Sequence, residues 1–322
     1  MSEFSKERAF LFEPFIRYRT ASNNWNEVYS QTLLYFDRYC TINFPGVAGI
    51  TQEMINGWCT QRDTEEKRSF IDRCQSALRL VEYLTERGLT VVNKPEMPPA
   101  PPKTHVPHAF SEEELQRFFD GCDENIRSAK EQGSRFIALS VSVEFRLLYS
   151  SGMRPTEARL LRSDSVDLQR GIINVQETKG NQQHYVVLHD DTAQLLRDYD
   201  KVASGLFPSR IIFFSMNPKN PDVPISPDML DYHFHKVWNR VNVTSAVPYD
   251  FRHNYAIENI NSWVNSGFEF HDKFVFLSKS MGHSSLESTK YYYSIVPALA
   301  DVLQKTTGAG FDEIVPEVPD YE

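Results

Sequence analysis

The chain has 322 residues, 41% hydrophobic and 24% charged, with a formal net charge of −9 at pH 7. This composition excludes a collagen, a coiled-coil rod and a wholly disordered chain. No apolar run approaches the roughly 20 residues that a membrane-spanning helix needs, and the charged N-terminus lacks the apolar stretch of a signal peptide. We expect a cytoplasmic protein of about two domains without a membrane partner.

The cysteines and the charges limit the ligand classes. Cys40, Cys59, Cys74 and Cys122 form no CxxC pair, which argues against a zinc site and a disulfide framework and favours free thiols. The negative total argues at first against nucleic acid. However, residues 1–103 are neutral, with 13 Lys and Arg against 13 Asp and Glu, and residues 311–322 carry five acidic side chains. The negative net charge therefore does not exclude a basic, nucleic-acid-binding surface elsewhere on the protein.

The first hundred residues are predicted to be helical. Asp63 and Glu66 suggest a capping box, and Gly88 suggests a helix stop. Two apolar helix faces are predicted from spacings of three and four residues. They comprise Val28, Thr32, Tyr35 and Tyr39 in the first helix, and Ile71, Cys74, Leu78, Val81 and Leu84 in the second.

The boundary of this region is a proline-rich stretch, residues 95–107, with six prolines. Proline fixes φ and removes a backbone donor, so this stretch is predicted to be an extended linker. After it, Ser111 and Glu114 form a second capping-box pattern, and a helix is expected near residues 136–150.

After this helix, the spacing of the apolar residues changes from a helical period to that of a strand. Residues 172–177 and 184–188 are β-type segments joined by a turn, which predicts a hairpin with Lys179 at its tip. A further helix is predicted from Ser226, and mostly helix follows to about residue 300. The fold class expected is mainly α with a small β-sheet, an α+β fold.

Three segments contain the residues best suited to chemistry: SGMRPTEARLL (151–161), YDFRHNYA (249–256) and MGHSSLESTKYYY (281–293). Together with Lys179, their order resembles the tyrosine recombinase (phage integrase) family over about residues 111–300. That family has an Arg in a GxRxxE turn, a Lys on a hairpin, a HxxRH box, a GHxS box and a Tyr nine residues after its His. The matching positions are Arg154, Lys179, Arg252, His283 and Tyr292.

The resemblance implies a division of the chain. Residues 1–94 would form a helical core-binding domain that contacts DNA, and residues 95–107 the interdomain linker. Residues 108–308 would form the catalytic domain, followed by an acidic tail at 309–322.

The chemistry of these residue types agrees with the resemblance. A Tyr that attacks a phosphodiester needs help with its proton, since its pKa lies near 10. Arg154 and Arg252 could clamp the phosphate oxygens, Lys179 could protonate the leaving 5′-oxygen, and His283 could donate a hydrogen bond. The sequence offers no acidic cluster with metal-ligand spacing, so no cofactor is expected. The resemblance implies a 3′-phosphotyrosyl product.

Several positions around these residues need interpretation. Tyr249 stands where the family most often has His, so we hypothesise that it contacts or orients the phosphate. Neighbours on a helix lie about 100° apart, so only one of three consecutive tyrosines can face the phosphate, and family spacing selects Tyr292. Glu157, Asp250 and His253 are interpreted as supports for the arginines, with plain surface pairing as the alternative.

Other features have simpler interpretations. The long interval between Arg252 and His283 is interpreted as an inserted turn packed on the core, and a similar interval in some transposon recombinases favours a mobile-element origin. His184 and His189 flank a strand and are expected to face solvent. His233 and His235 do not share a helix face, so metal binding is not expected. Residues 296–304 are predicted to be a helix, packed on its own domain or docked in trans.

The resemblance implies a specific double-stranded DNA site, a homo-oligomer that is tetrameric in the synapse, a Holliday-junction intermediate and a nucleoid-associated location. Binding should weaken with salt because phosphate contacts dominate. A type IB topoisomerase would share the chemistry. A catalytically impaired DNA-binding relative is the second alternative, favoured by Tyr249 and the acidic charge.

Overall fold

The computed structural model describes residues 4–22, 25, 27–101, 107–176, 183–215, 220–263 and 270–282. Contacts divide the chain into two compact units, Met1–His105 and Val106–Glu322. No helix in these described ranges is long and apolar enough to cross a bilayer.

The first unit is helical, as predicted. Its helices are α1 (Ala9–Ala21), α2 (Glu27–Asn43), α3 (Gln52–Trp58) and α4 (Lys67–Glu86). Their core is aromatic and aliphatic, and includes Phe12, Phe36, Trp58 and Leu80. Gly88 follows α4 with φ of 66°, a left-handed conformation that suits glycine, so the predicted stop is confirmed.

The predicted face of α2 is wrong. Val28 is 70% exposed and Tyr35 51%, whereas Leu33, Phe36 and Cys40 are fully buried. Both sets have helical spacing, so the periodicity was compatible with either. Packing against α4 selected the set with the larger apolar content.

The capping box predicted at Asp63 and Glu66 is also wrong. Helix α4 begins only at Lys67, and Glu66 is its N-cap without a side-chain hydrogen bond. The neighbouring Glu65 instead accepts from the Arg73 guanidinium, with 2.7 Å between Oε1 and Nε. An ion pair to the next helix therefore organises this turn.

The second unit is mainly helical with one small sheet, which confirms the predicted fold class. Its helices are α5 (Glu112–Ser128), α6 (Gln132–Ser151), α7 (Pro155–Arg159), α8 (Asp190–Leu206), α9 (Pro227–Val241), α10 (Asp250–Trp263) and α11 (Phe270–Ser280). Its strands are β1 (Val166–Asp167), β2 (Ile172–Val175) and β3 (His184–Val187), antiparallel in the order β1-β2-β3.

Two local predictions for this unit are confirmed. The Ser111 hydroxyl accepts the Glu114 N–H at 3.2 Å, and the Glu114 carboxylate accepts the Ser111 N–H at 3.0 Å, which is a complete capping box. The strands β2 and β3 pair as the expected hairpin, in a register that runs from Ile172 with Val187 to Val175 with His184. Lys179, which lies between them in the sequence, is outside the described residues.

An aromatic cluster holds the start of α10 in place. Phe251 is fully buried, and its ring centroid lies 5.1 Å from that of Phe110 and 5.7 Å from those of Phe118 and Phe234. Because Arg252 follows Phe251 directly, the packing of one ring fixes where the next side chain points.

The interval between Arg252 and His283 contains more than a turn. Most of it is helical: α10 extends to Trp263, and α11 covers Phe270–Ser280 and contacts α10 and β3. In α11, Leu277 is buried and Phe276 is 68% exposed. The run of neighbouring aromatics has no single helical period, which is why the sequence suggested a packed turn here.

Candidate active site

Arg154 is held at the junction of two helices. Helix α6 ends at Ser151 with Gly152 as its C-cap, at φ of 64°, and α7 begins at Pro155 with Arg154 as its N-cap. The Glu157 carboxylate accepts the backbone N–H of Arg154 at 2.8 Å and also accepts from its guanidinium. The Glu157 side chain is 1% exposed and that of Arg154 is 17% exposed. A buried carboxylate therefore contacts a partly exposed guanidinium, and the predicted role of Glu157 as a support for the arginine stays a prediction.

Arg252 is almost completely buried, with 1% exposure. Its guanidinium donates to the carbonyl oxygens of Gly152 and Met281, each at 2.7 Å. These carbonyls are separated from Arg252 by 100 and 29 residues along the chain. The bonds join the end of α6, the start of α10 and the end of α11.

The two arginines meet at one turn. Nη2 of Arg154 donates to the Gly282 carbonyl at 3.1 Å, and Nη2 of Arg252 donates to the neighbouring Met281 carbonyl. This turn directly precedes His283. The structure thus brings together the three segments that the sequence singled out, up to the residue before that histidine.

Both glycines beside the arginines are required by close contacts. A Cβ at Gly152 would lie 2.3 Å from Cδ1 of Tyr255. A Cβ at Gly282, where φ is 62°, would lie 2.5 Å from Nδ1 of His184. Gly282 therefore packs against the first residue of β3.

His184 is a site neighbour that the sequence interpretation missed. It is 8% exposed rather than facing solvent, because it shares the inward face of β3 with Val186. The two-residue period of a strand could have revealed this. His189 does face solvent, and its Nδ1 accepts the Asp191 N–H as the N-cap of α8.

The residues around Arg252 have distinct places. Tyr249 is 41% exposed, and its ring centroid lies 5.1 Å from that of His253, one helical turn later. The Asp250 carboxylate is buried and accepts the Val247 N–H at 2.9 Å. Asp250 thereby stabilises the turn that starts α10, and its predicted support of Arg252 stays a prediction.

Three predicted site residues, Lys179, His283 and Tyr292, lie outside the described residues, as do residues 296–304. Their roles stay predictions. Within the described part of the chain, no group of three or more His, Cys, Asp or Glu is arranged to hold a metal ion.

The phage integrase family profile matches residues 109–297, more than half of the chain. The protein therefore belongs to the phage integrase family, whose members are the tyrosine recombinases.

The curated relatives agree with this membership. The putative integrase/recombinase y4rE of Sinorhizobium fredii is 28% identical over 193 residues, which are 58% of this chain and 59% of that protein. A second relative from this organism, y4rB, is 25% identical over 62% of this chain and 65% of its own length. The chain thus spans less than two thirds of both proteins. The tyrosine recombinase XerC of Lactobacillus delbrueckii is 23% identical over 77% of this chain and 80% of its own.

Solved structures share the fold. The Tn1549 transposon integrase in complex with transposon right end DNA has a TM-score of 0.57 and 12% identity, covering 88% of this chain and 94% of that one. The lambda integrase tetramer bound to a Holliday junction has a TM-score of 0.54 and 12% identity, and the match covers 88% of this chain and 76% of the integrase chain. The mainly helical fold with a small sheet is therefore that of tyrosine recombinases.

Proposed function

We propose that this protein is a site-specific DNA recombinase that cuts and rejoins DNA through a tyrosine. The observation that carries the proposal is the convergence of Arg154 and Arg252 on the Met281–Gly282 turn, one residue before His283. Arg154 and Gly282 are 128 positions apart in the chain. The segments that meet at this turn follow one another along the chain in the order of the family pattern.

The reaction follows from the roles of the residue types. The Tyr292 hydroxyl releases its proton to solvent as its oxygen attacks the phosphorus, the bond from phosphorus to the 5′-oxygen breaks, and Lys179 supplies the proton for the 5′-hydroxyl. Arg154, oriented by Glu157, binds the non-bridging oxygens as their charge grows. His283 donates a further hydrogen bond. Because religation reverses these steps, bond energy is conserved without metal or ATP.

Arg252 has a second role in this proposal. Its two bonds to backbone carbonyls hold the Met281–Gly282 turn against Gly152. It therefore places both His283 and Arg154, in addition to the positive charge that it adds beside the phosphate.

The proposed substrate is a specific duplex DNA site of a mobile element, integrated or excised by a homo-oligomer that is tetrameric in the synapse. Two structural neighbours support this: Tn1549 integrase is bound to transposon right end DNA, and lambda integrase is a tetramer bound to a Holliday junction. A cytoplasmic, nucleoid-associated location follows from that substrate.

Covalent trapping tests the proposal. Nicked duplexes from the DNA flanking the gene are incubated with protein in EDTA and separated on a denaturing gel. We expect an adduct that Tyr292→Phe abolishes and that the matched controls Tyr291→Phe and Tyr293→Phe retain. Loss in a control instead would move the nucleophile to that residue. Relaxation of plasmids without any specific site would favour a type IB topoisomerase.

One observation favours a catalytically impaired DNA-binding relative. Arg252 is 1% exposed and donates to two carbonyls, while Tyr249 replaces the usual histidine. Tight, salt-sensitive binding to the flanking DNA without any adduct would favour this function over recombination.

A further inference from the structure

Two cysteines of the first unit lie where α3 meets α4. Cys59 is the C-cap of α3, directly after Trp58, and is half-buried, whereas Cys74 in α4 is fully buried. The Cys74 thiol donates a hydrogen bond to the carbonyl oxygen of Trp58, the residue directly before Cys59, with 3.9 Å between the two atoms. The end of α3 is therefore bonded to the middle of α4 beside both cysteines.

An arginine, Arg73, lies beside these two cysteines. The Arg73 guanidinium donates to the carbonyl oxygens of Trp58 and Thr60, which flank Cys59 on both sides. It also pairs with Glu65 and lies 4.9 Å from the centroid of the Trp58 ring. These bonds fix the cation beside the sulfurs.

The two thiols consequently differ in reactivity. The neighbouring Cys74 thiol and the charge of Arg73 lower the pKa of Cys59, against the effect of burial. The neighbouring Cys59 and burial raise the pKa of Cys74. The other cysteines, Cys40 and Cys122, are buried, and burial raises the pKa of each to about 12. Thiolate character and access together select Cys59 as the reactive sulfur.

We propose that Cys59 and Cys74 form an oxidation site that reacts with hydroperoxides and closes an intrachain disulfide. The Cys59 thiolate attacks one peroxide oxygen, the O–O bond breaks, and Cys59 becomes a sulfenic acid as hydroxide leaves. The Cys74 sulfur then attacks the Cys59 sulfur, and the sulfenic oxygen departs as water. For hydrogen peroxide, two thiols lose two electrons and two protons, and two waters form.

The product would be a reversible link between two helices of the first unit. It joins the end of α3 to α4 without involving the second unit. Transient, thiol-reversible disulfides of this kind are compatible with a reducing compartment. The inference is independent of the proposed recombinase activity.

Mass spectrometry of the full-length chain tests the site. After hydrogen peroxide treatment, we expect the intact mass to fall by two hydrogens and to return with dithiothreitol. Non-reducing peptide mapping should link Cys59 to Cys74. The matched control Cys40→Ser, altered in the same unit, should retain this link, and Cys59→Ser should lose it.

A second variant keeps the test decisive. In Cys74→Ser, the sulfenic acid at Cys59 has no partner and should be captured by dimedone. A link through Cys40 or Cys122, a link between two copies, or an unchanged thiol at Cys59 in the parent would each overturn the proposal.

Discussion

Each unit contains an arginine that is 1% exposed, and the two arginines are satisfied differently. In the first unit, Nε of Arg8 lies 2.9 Å from the buried Asp37 carboxylate, which neutralises its charge. In the second unit, Arg252 donates to the carbonyl oxygens of Gly152 and Met281, which orient its guanidinium. The first arginine is thus held by an ion pair to α2, whereas the second joins three backbone segments beside the proposed phosphate site.

The largest expected effect is a loss of stability when the Arg8–Asp37 ion pair is broken. Arg8→Met leaves the Asp37 carboxylate buried without its cation, so the free energy of unfolding should fall by about 3–5 kcal/mol. Urea unfolding measures this. Adding Asp37→Leu should recover much of the loss. If the double variant were no more stable than the single one, the arginine would be acting through packing alone.

The second expected effect is on chemistry. Arg154→Ala should slow formation of the covalent adduct by about 100- to 1,000-fold, the usual cost of removing a donor that stabilises transition-state charge. Thermal stability should also fall, because the Glu157 carboxylate stays buried without its cation, so rates are compared at a temperature at which the variant is folded. The control is Arg162→Ala, an exposed arginine of the same unit paired with Asp164. Equal slowing in both variants would contradict the assignment.

Two glycines, one in each unit, allow a second comparison of the units, based on the space around each glycine. Gly88 and Gly152 have nearly the same φ, 66° and 64°, but a Cβ meets nothing within 4 Å at Gly88 and meets Tyr255 at Gly152. Gly152→Ala should therefore cost about 1–3 kcal/mol more than Gly88→Ala, through overlap rather than backbone strain. Chemical denaturation of both variants measures the difference. Equal losses would show that Tyr255 simply moves aside.

Glu144 is a fully buried carboxyl on α6, and among the described residues its oxygens have no hydrogen-bond partner. Burial raises its pKa from 4.5 to about 8, despite the charge of Arg159. The unfolded chain thus binds fewer protons between about pH 4.5 and 8, so this group removes stability as pH rises across that window.

The corresponding test is Glu144→Gln. Relative to the variant, the parent should lose about 2 kcal/mol of unfolding free energy between pH 5 and pH 8, a value below the limit that the pKa shift sets. Urea unfolding at both pH values checks this. Parallel pH profiles for parent and variant would refute it.

The smallest effect is expected at Tyr249. If its hydroxyl contacts the phosphate, Tyr249→Phe should slow adduct formation by about 10-fold, near the value of one neutral hydrogen bond. His253→Phe is the comparison variant, because the His253 ring contacts the Tyr249 ring and this substitution leaves the Tyr249 hydroxyl in place. A rate equal to that of the parent would remove Tyr249 from the site.

Local chemistry was readable before the structure. The capping box at Ser111 and Glu114, the β2–β3 hairpin and the turn that carries Arg154 depend on contacts within a few residues. Such contacts leave a short signature of residue types at fixed offsets. The predictions were wrong where two local patterns were equally compatible with the sequence, as for the two possible faces of α2. They were also wrong where a residue bonds outside its own turn, as Glu65 does with Arg73.

The sequence by itself determined the fold class, the hairpin, several helix ends and the family, because these depend on spacing and motif order. Only the tertiary structure decided that Arg154 and Arg252 share the Met281–Gly282 turn and that His184 packs against it. Those contacts join positions up to 128 residues apart. They depend on how α6, α10, α11 and β3 pack around one aromatic core, and no short-range pattern encodes that packing.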